Sequence, residues 1–359
     1  MRPATAHIDL AALKHNLNWV RELAPRSRVV AVIKANGYGH GAARILPALA
    51  TADMLGVACI EEALALRKAS AVQPILLLAG VFTPDELAVC AELNVEVAVR
   101  DDASIALLES ARVSRSIKVW LKLDTGMHRL GIDPAATRQC IDRLRACPAV
   151  DGDIGVMSHL SSADDVHSDV TVRQMTAFDA ATAGLSLRRS LANSAGVVAW
   201  PGAHHDWVRP GIMLYGCSPL LGQTGPEIGL KPVMTLSTRL ISVKTVAAGE
   251  AIGYAGAYTC PKPTRVGIAA IGYGDGYPRH APTGTPVLVS GRPSRTLGRV
   301  SMDMLCVDLD RFPDAQVGDP VTLWGRGLPA EAVAAAAETI AYEILCNVAE
   351  RVHFDVTSG

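Results

Sequence analysis

The sequence has no segment built to cross a bilayer: no apolar run approaches the roughly 18 residues that a spanning helix needs. The opening segment MRPATAHIDLAALKHNLNWV has no apolar core of the kind a secretory leader carries, so a cytoplasmic location is expected. No charge of one sign dominates. Lys and Arg number 34 against 35 Asp and Glu, for a net charge of −1, which leaves no basic surface for nucleic acid or an anionic membrane. The expected substrate is therefore small, with any charge preference built locally. The eight cysteines (Cys59, Cys90, Cys140, Cys147, Cys217, Cys260, Cys306 and Cys346) contain no CxxC pair. That argues against a disulfide frame or a zinc site and for reduced thiols, most of them acting as small buried hydrophobes. Low-complexity segments and internal repeats, beyond the alternation described next, are also missing.

What is present is apolar and alternating. Apolar residues make up 49% and charged residues 19% of 359 positions, a globular composition long enough for one large domain and a smaller one. Continuously apolar runs recur: VVAVIKA (29–35), LGVACI (55–60), ILLLAG (75–80), VEVAVR (95–100), KVWLKLDT (118–125), IGVMSHL (154–160), RSLANS (189–194) and VRPGIMLYG (208–216). Strands covered on both faces need such runs. Helices fall between them. One opens after Asp9, places Leu10, Leu13, Leu17 and Val20 on one face and stops at Pro25. Another is announced by Thr83, Pro84 and Glu86, which supply an N-cap, a first-turn proline and a capping-box acid. The fold class predicted is α/β: an N-terminal (β/α)8 TIM-type barrel over residues 1–229, with a doubly wound open sheet as the alternative. From residue 230 short strand-like runs punctuated by Gly, Pro and Asp take over, predicting a mainly β C-terminal domain over 230–359. It closes with one helix, AEAVAAAAETIAYEIL, and a last strand, RVHFDV.

Barrel chemistry sits at the carboxyl ends of the strands. Lys34 ends the first apolar run and is followed by a loop too glycine-rich to be only a turn, ANGYGHGA. Taken alone, this lysine either snorkels to water or an acid, or is a desolvated amine that forms a Schiff base with a carbonyl. The second reading requires an anchored electrophile such as pyridoxal 5'-phosphate (PLP) and a phosphate cup. Ser194 with the backbone N–H groups of Gly211 and Ile212 offers one by the last two barrel strands; an ordinary helix cap is the alternative there. His159, with His204, His205 and Asp206, is open to a metal reading, but the spacing is not that of a helical HExxH pair. Arg129 and Arg209 are equally open to being ordinary ion-pair partners.

Taken together, AVIKANGYGHGA, LKLDTGMHRLG, SHLSSAD, ANSAG, DWVRPGIMLYG, IGYAGAY, GYGDGY, RVSMDM and AYEILC resemble, in order and across essentially the whole chain, the bacterial alanine racemase family of fold type III. The resemblance implies PLP as cofactor, with Lys34 as its Schiff-base residue and Tyr38 and Tyr342 reaching its phosphate. It implies a homodimer in which Tyr254, from the second domain, enters the site of the partner subunit. Racemisation removes an α-proton from one face and returns one to the other, so two bases on opposite faces suit it, here Lys34 and Tyr254. A tyrosine, with an ordinary pKa near ~10, needs help to act as a base, and the implied helpers are His159 and behind it Arg209.

Arg209 is further implied to meet the pyridine nitrogen of PLP. A guanidinium does not readily give up its proton, so that nitrogen stays largely unprotonated and a long-lived carbanion, with its side reactions, is disfavoured. Arg129 is implied to hold the cofactor's phenolic oxygen and the substrate carboxylate, with Lys122 as a carbamate orienting it. Met302 is implied to meet the substrate carboxylate through its backbone N–H. Asp164, Tyr273 and Arg279 match polar positions of the channel into the site. The glycines after Lys34 are expected to let the loop pass close to the ring and phosphate.

Two departures stand out: Ala255 where glycine is frequent, and His205 where an aromatic is common. The competing enzyme reading is a PLP-barrel amino acid decarboxylase, which calls for adjacent glycines and an acid at the pyridine nitrogen; no GGG occurs. The competing non-enzyme reading is a single-barrel PLP-carrier protein, which lacks a second domain.

Overall fold

The structure, a computed structural model, describes residues 2–358. Strand β1 (Thr5–Asp9) opens the chain. Eight parallel strands then close into a barrel: β2 (Arg28–Val32), β3 (Met54–Val57), β4 (Ile75–Leu77), β5 (Val95–Val99), β6 (Val119–Lys122), β7 (Gly155–Met157), β8 (Arg188–Ser190) and β9 (Trp207–Val208). They match the eight apolar runs of the sequence, but each strand ends before its run does, because the last residues of the runs leave the sheet to form the mouth of the barrel. The open-sheet alternative is excluded by the pairing of β9 back onto β2.

The barrel interior is packed. Val30, Met54, Leu76, Ala98, Trp120, Met157 and Trp207 form one buried cluster, drawn from seven of the eight strands. Size is complementary within it: Trp120 occupies the centre, and a Cβ on Gly155 would lie 2.3 Å from its ring. This layer is the floor of the mouth. The outer helices follow the sequence signals. Asp9 caps the helix Leu10–Leu23 by accepting from the Ala12 N–H (2.9 Å), and Thr83 caps Pro84–Leu93 through the Glu86 N–H (3.3 Å).

The second domain is built from β10 (Met234–Val246), β11 (Ala251–Ile252), β12 (Tyr258–Thr259), β13 (Thr264–Ala269), β14 (Pro286–Val289), β15 (Arg292–Leu297), β16 (Leu305–Asp308), β17 (Pro320–Trp324) and β18 (His353–Thr357). Its main sheet runs β13-β16-β15-β14-β17-β10-β1-β18, with β13 also pairing to β10. Two elements differ from the sequence reading. Strand β1 was not anticipated. It lies antiparallel to β10 and parallel to β18, so the first strand of the chain belongs to the second domain's sheet. The alanine-rich segment predicted as one late helix is two, Ala330–Ala336 and Ala341–Cys346, broken where Glu338 takes a left-handed φ of 54°. The break aims the second short helix, with Tyr342, at the barrel mouth.

Candidate active site

Lys34 follows β2 by two residues, and there the backbone does something unusual. Ala35, Asn36, Gly37 and Tyr38 all lie in the left-handed region (φ 51°, 52°, 65° and 50°), and Gly39 continues it at 78°. Three of these residues are not glycine, and each such residue costs on the order of 1 kcal/mol, which the surroundings must offset. Hydrogen bonds do so. Glu62 accepts from the Ala35 N–H (2.6 Å) and the Ala58 N–H (2.8 Å), Asn36 accepts from the Ala42 N–H (2.9 Å), and His40 Nδ1 donates to the carbonyls of Gly37 and Tyr38. The glycines have a different reason from the one expected. A Cβ on Gly39 would lie 2.0 Å from the Leu345 carbonyl oxygen, and one on Gly37 would lie 2.8 Å from the Ile45 side chain. They let the turn pack against the helix Ala341–Cys346 and its own continuation.

The mouth holds a cavity of about 470 Å³. Among the described residues four cationic side chains line it, Lys34, Lys122, Arg129 and Arg209, and no carboxylate does. Lys122, the last residue of β6, is buried; burial first, then Arg209, Arg129 and Lys34, lowers its pKa to about 8. Lys34 opens onto the cavity, and its pKa is lowered by burial of the amine and by Arg129, against a smaller opposing pull from Glu62. Arg209 is buried without an acid; it donates to Ser190 Oγ (2.6 Å) and to the carbonyls of Ser158 and Leu191, and burial brings its pKa down to about 10. His159 is held neutral by burial and by the four cations. Arg129 is carried by a loop that leaves β6 and returns to it. The Asp124 carboxylate accepts from the N–H groups of Gly126 (3.0 Å) and His128 (2.9 Å), and the Ile132 N–H donates to the Lys122 carbonyl (2.8 Å).

At the far side, beyond β8 and β9, Ser194 Oγ accepts from the N–H groups of Gly211 (2.8 Å) and Met213 (3.4 Å). A Cβ on Gly211 would lie 2.3 Å from the Tyr38 hydroxyl, so that glycine is what lets Tyr38 reach this corner. Ile212 and Tyr342 complete it. A corner of hydroxyls and backbone N–H groups, facing four cations and no acid, suits a ligand with a phosphate and further negative oxygens. PLP carrying an amino acid has that charge pattern, and Lys34 is placed to bind it covalently.

Not every sequence candidate lines this cavity. Asp164 lies in an adjoining cleft of about 780 Å³ that shares His159, Asn193 and Tyr342 with it. Tyr254, Tyr273, Arg279 and Met302 do not line it. Tyr254 is 69% exposed at the tip of the β11–β12 hairpin, and Met302 is 53% exposed. Ala255 beside Tyr254 has φ 58°, which accounts for glycine being frequent there. The other departure, His205, packs against Phe178 (ring centroids 5.3 Å apart). Among the described residues no three of His, Cys, Asp and Glu gather into a metal-holding group.

Sequence reasoning missed Glu62, Ser158, Ser190 and Cys346. Glu62 reads in sequence as one of two acids opening a helix, a common dipole-favoured position, and nothing local says that it reaches back to Ala35. Cys346 is the last residue of the matched motif AYEILC, where it was given no role, and it lines the cavity beside Lys34.

Comparison with known proteins agrees with this geometry. Residues 8–219 match the family model for the alanine racemase N-terminal domain, and residues 233–356 the one for the C-terminal domain. A relative named alanine racemase from Nitrosococcus oceani is 52% identical over 347 residues, 97% of this chain and 97% of its own. One from Thioalkalivibrio sulfidiphilus is 51% identical, with 99% of each chain covered. The crystal structure of the biosynthetic alanine racemase of Pseudomonas aeruginosa superposes with a TM-score of 0.96 at 46% identity, covering 99% of this chain and 100% of that one. With both domains matched end to end, the chain belongs to the alanine racemase family.

Proposed function

We propose that each site of this enzyme is completed by two chains: Lys34 serves one face of the bound amino acid and Tyr254 of the partner subunit the other. As a member of its family the chain is an isomerase that interconverts L- and D-alanine and depends on PLP. The observation that carries the two-chain reading is the mismatch within one chain. Its cavity has two lysines of lowered pKa, Lys34 and Lys122, and a neutral histidine but not Tyr254, which stands exposed elsewhere.

PLP, when bound, draws electrons from the amino acid and so acidifies its α-proton. Lys34, its pKa lowered by burial and by Arg129, is the amine placed to take up or return that proton at Nζ. Tyr38, Ser194, Gly211, Ile212 and Tyr342 would hold the phosphate, and Arg129 the substrate carboxylate. Arg209, still protonated at neutral pH, would donate to the pyridine nitrogen and leave it without a proton of its own. His159, kept neutral, can accept from the hydroxyl of the partner's Tyr254 and ease its deprotonation.

The homodimer reading is supported by four exposed large side chains of the second domain: Tyr254, Tyr273, Met302 and Met304. The backbones of the last three are tied together, the Tyr273 N–H to the Ser301 carbonyl (3.0 Å), the Gly274 N–H to the Met302 carbonyl (2.8 Å) and the Ser301 N–H to the Met304 carbonyl (2.9 Å). On this reading the N–H of the partner's Met302 meets the substrate carboxylate, and Tyr273, Arg279 and Asp164 border the channel. The division at residue 229/230 is kept, with β1 counted with the second domain. A cytoplasmic location is supported by eight cysteines, all of them unpaired. No helix among the described residues is long and apolar enough to cross a membrane.

The test is chiral analysis of L-alanine incubated with the purified protein and PLP. D-alanine should accumulate to near equality; L-alanine left unchanged would sink the assignment. A second expectation concerns Lys122. An amine of pKa about 8 is partly neutral near neutral pH and can add CO2, releasing a proton and becoming a carbamate anion beside Arg129. Lys122→Ala should lower kcat about tenfold, the usual scale for a group that orients another, and added acetate should restore part of it. Wild type that is indifferent to removal of bicarbonate, together with no acetate rescue, would exclude the carbamate.

A further inference from the structure

His40 is fully buried, yet it does not line the site cavity and no step above uses it. Its surroundings are specific. Nδ1 faces two carbonyls, those of Gly37 at 3.0 Å and Tyr38 at 2.9 Å. Carbonyl oxygens only accept, so Nδ1 carries the proton. Nε2 is then a bare lone pair, and it has neither a partner nor solvent. A side chain that buries an unsatisfied nitrogen is retained where its other nitrogen is needed.

That need is visible in the backbone. Both carbonyls belong to the left-handed turn after Lys34, where the chain's own preference would be to relax. The imidazole also lies over Tyr215, with centroids 4.7 Å apart. Tyr215 stacks in turn on Tyr38 (4.6 Å, 26°) and is anchored through its hydroxyl to the Val32 carbonyl (3.1 Å). Tyr38 is thus fixed twice, at its carbonyl by His40 and across its ring by Tyr215. Its hydroxyl is delivered against Gly211 at the corner that holds Ser194.

We propose that His40, as a neutral imidazole protonated on Nδ1, is a positioning residue that locks the left-handed turn and thereby sets where the Tyr38 hydroxyl stands for the cofactor phosphate. The inference rests on Tyr38 being a phosphate contact, and its test separates the two ideas. Neutrality is consistent with burial, which lowers the pKa of His40 to about 4.

The measurement is PLP affinity of the full chain, by titration of cofactor-free protein, for His40→Ala, His40→Asn, Tyr38→Phe and the double variant His40→Ala/Tyr38→Phe. Asparagine places an amide N–H close to where Nδ1–H stands. Tyr38→Phe should weaken PLP binding about tenfold, the scale of one hydrogen bond to a charged group, and His40→Ala by a similar factor. His40→Asn should return to within about threefold of wild type, and the double variant should bind no worse than about twofold below the weaker single, because the two changes act through one contact. The inference is overturned if His40→Ala binds PLP as wild type does, if His40→Asn is no better than His40→Ala, or if the two losses multiply in the double variant. Tyr38→Phe binding like wild type would sink the phosphate-contact reading itself, and the inference with it. A second, independent readout is the tautomer. In holoenzyme labelled with 15N at histidine, His40 should carry its proton on Nδ1; a proton on Nε2 overturns the inference even if a variant fails to fold.

Discussion

Two inactive variants of this enzyme should make an active one when mixed. On the proposed reading, Lys34→Ala removes the base on one face and the covalent anchor of the cofactor. Tyr254→Phe removes the hydroxyl on the other and should lower kcat by ~10²–10⁴-fold, the range for a lost acid–base group, while PLP still binds at Lys34. If each site takes Lys34 from one chain and Tyr254 from the other, a hybrid dimer of the two variants contains one intact site and one doubly defective site. Random reassociation of equal amounts should therefore recover about a quarter of wild-type activity, half of the dimers being hybrids with half of their sites restored. Denaturing and refolding the two together, then assaying D-alanine, checks this. Recovery no greater than the sum of the separate variants would mean that both bases come from one chain. The exposure of Tyr254, at 69%, makes that outcome unexpected.

Arg209→Glu should change which reaction occurs as well as its rate. Arg209 presents a buried guanidinium held by Ser190, Ser158 and Leu191 with no acid beside it. A glutamate there would favour a proton on the pyridine nitrogen and strengthen the cofactor as an electron sink. Racemisation should fall by ~10²–10³-fold, as when a preorganised electrostatic partner is removed. Pyruvate should appear from alanine as transamination competes. Arg209→Ala, which removes the cation without adding an acid, should lose rate and yield no pyruvate. A coupled assay with lactate dehydrogenase reads the product directly. Arg209→Glu protein that binds PLP, racemises within threefold of wild type and releases no pyruvate would remove the assigned role.

The barrel was legible because its strands are covered on both faces and so must be continuously apolar; eight such runs became eight strands. The mouth was legible for a related reason: polar residues at the ends of those runs, Lys34, Lys122 and His159, have nowhere to point but the opening. What escaped depends on partners distant in sequence. TAHID becomes a strand only because residues 234–237 and 353–357 flank it. The break at Glu338 is invisible in an alanine-rich run whose propensity is helical throughout. Ala35, Asn36 and Tyr38 adopt left-handed backbone against their own preference, under clamps from Glu62, the Asn36 side chain and His40. Local sequence records the glycines of that loop and not the hydrogen bonds that bend it. Tyr254 was singled out by its motif alone, since an exposed tyrosine at a hairpin tip carries no signal of its own within a single chain.

The pairing of β1 between β10 and β18 has a consequence for how the protein is made. On the ribosome, residues 5–9 emerge before, and residues 353–357 after, every other described strand, yet the two lie side by side in register. The barrel, whose strands pair mostly with their immediate successors, can assemble while synthesis continues. The main sheet of the second domain cannot be completed until β18 arrives to cover β1. A nascent chain thus lacks both the last strand of the second domain and the helix Ala341–Cys346, whose Tyr342 and Cys346 line the cavity, until residues 341–357 have been made. Completion of the cavity is postponed until translation has delivered those residues, and a prematurely terminated chain is left with an unpaired edge at β1 for quality-control machinery to recognise.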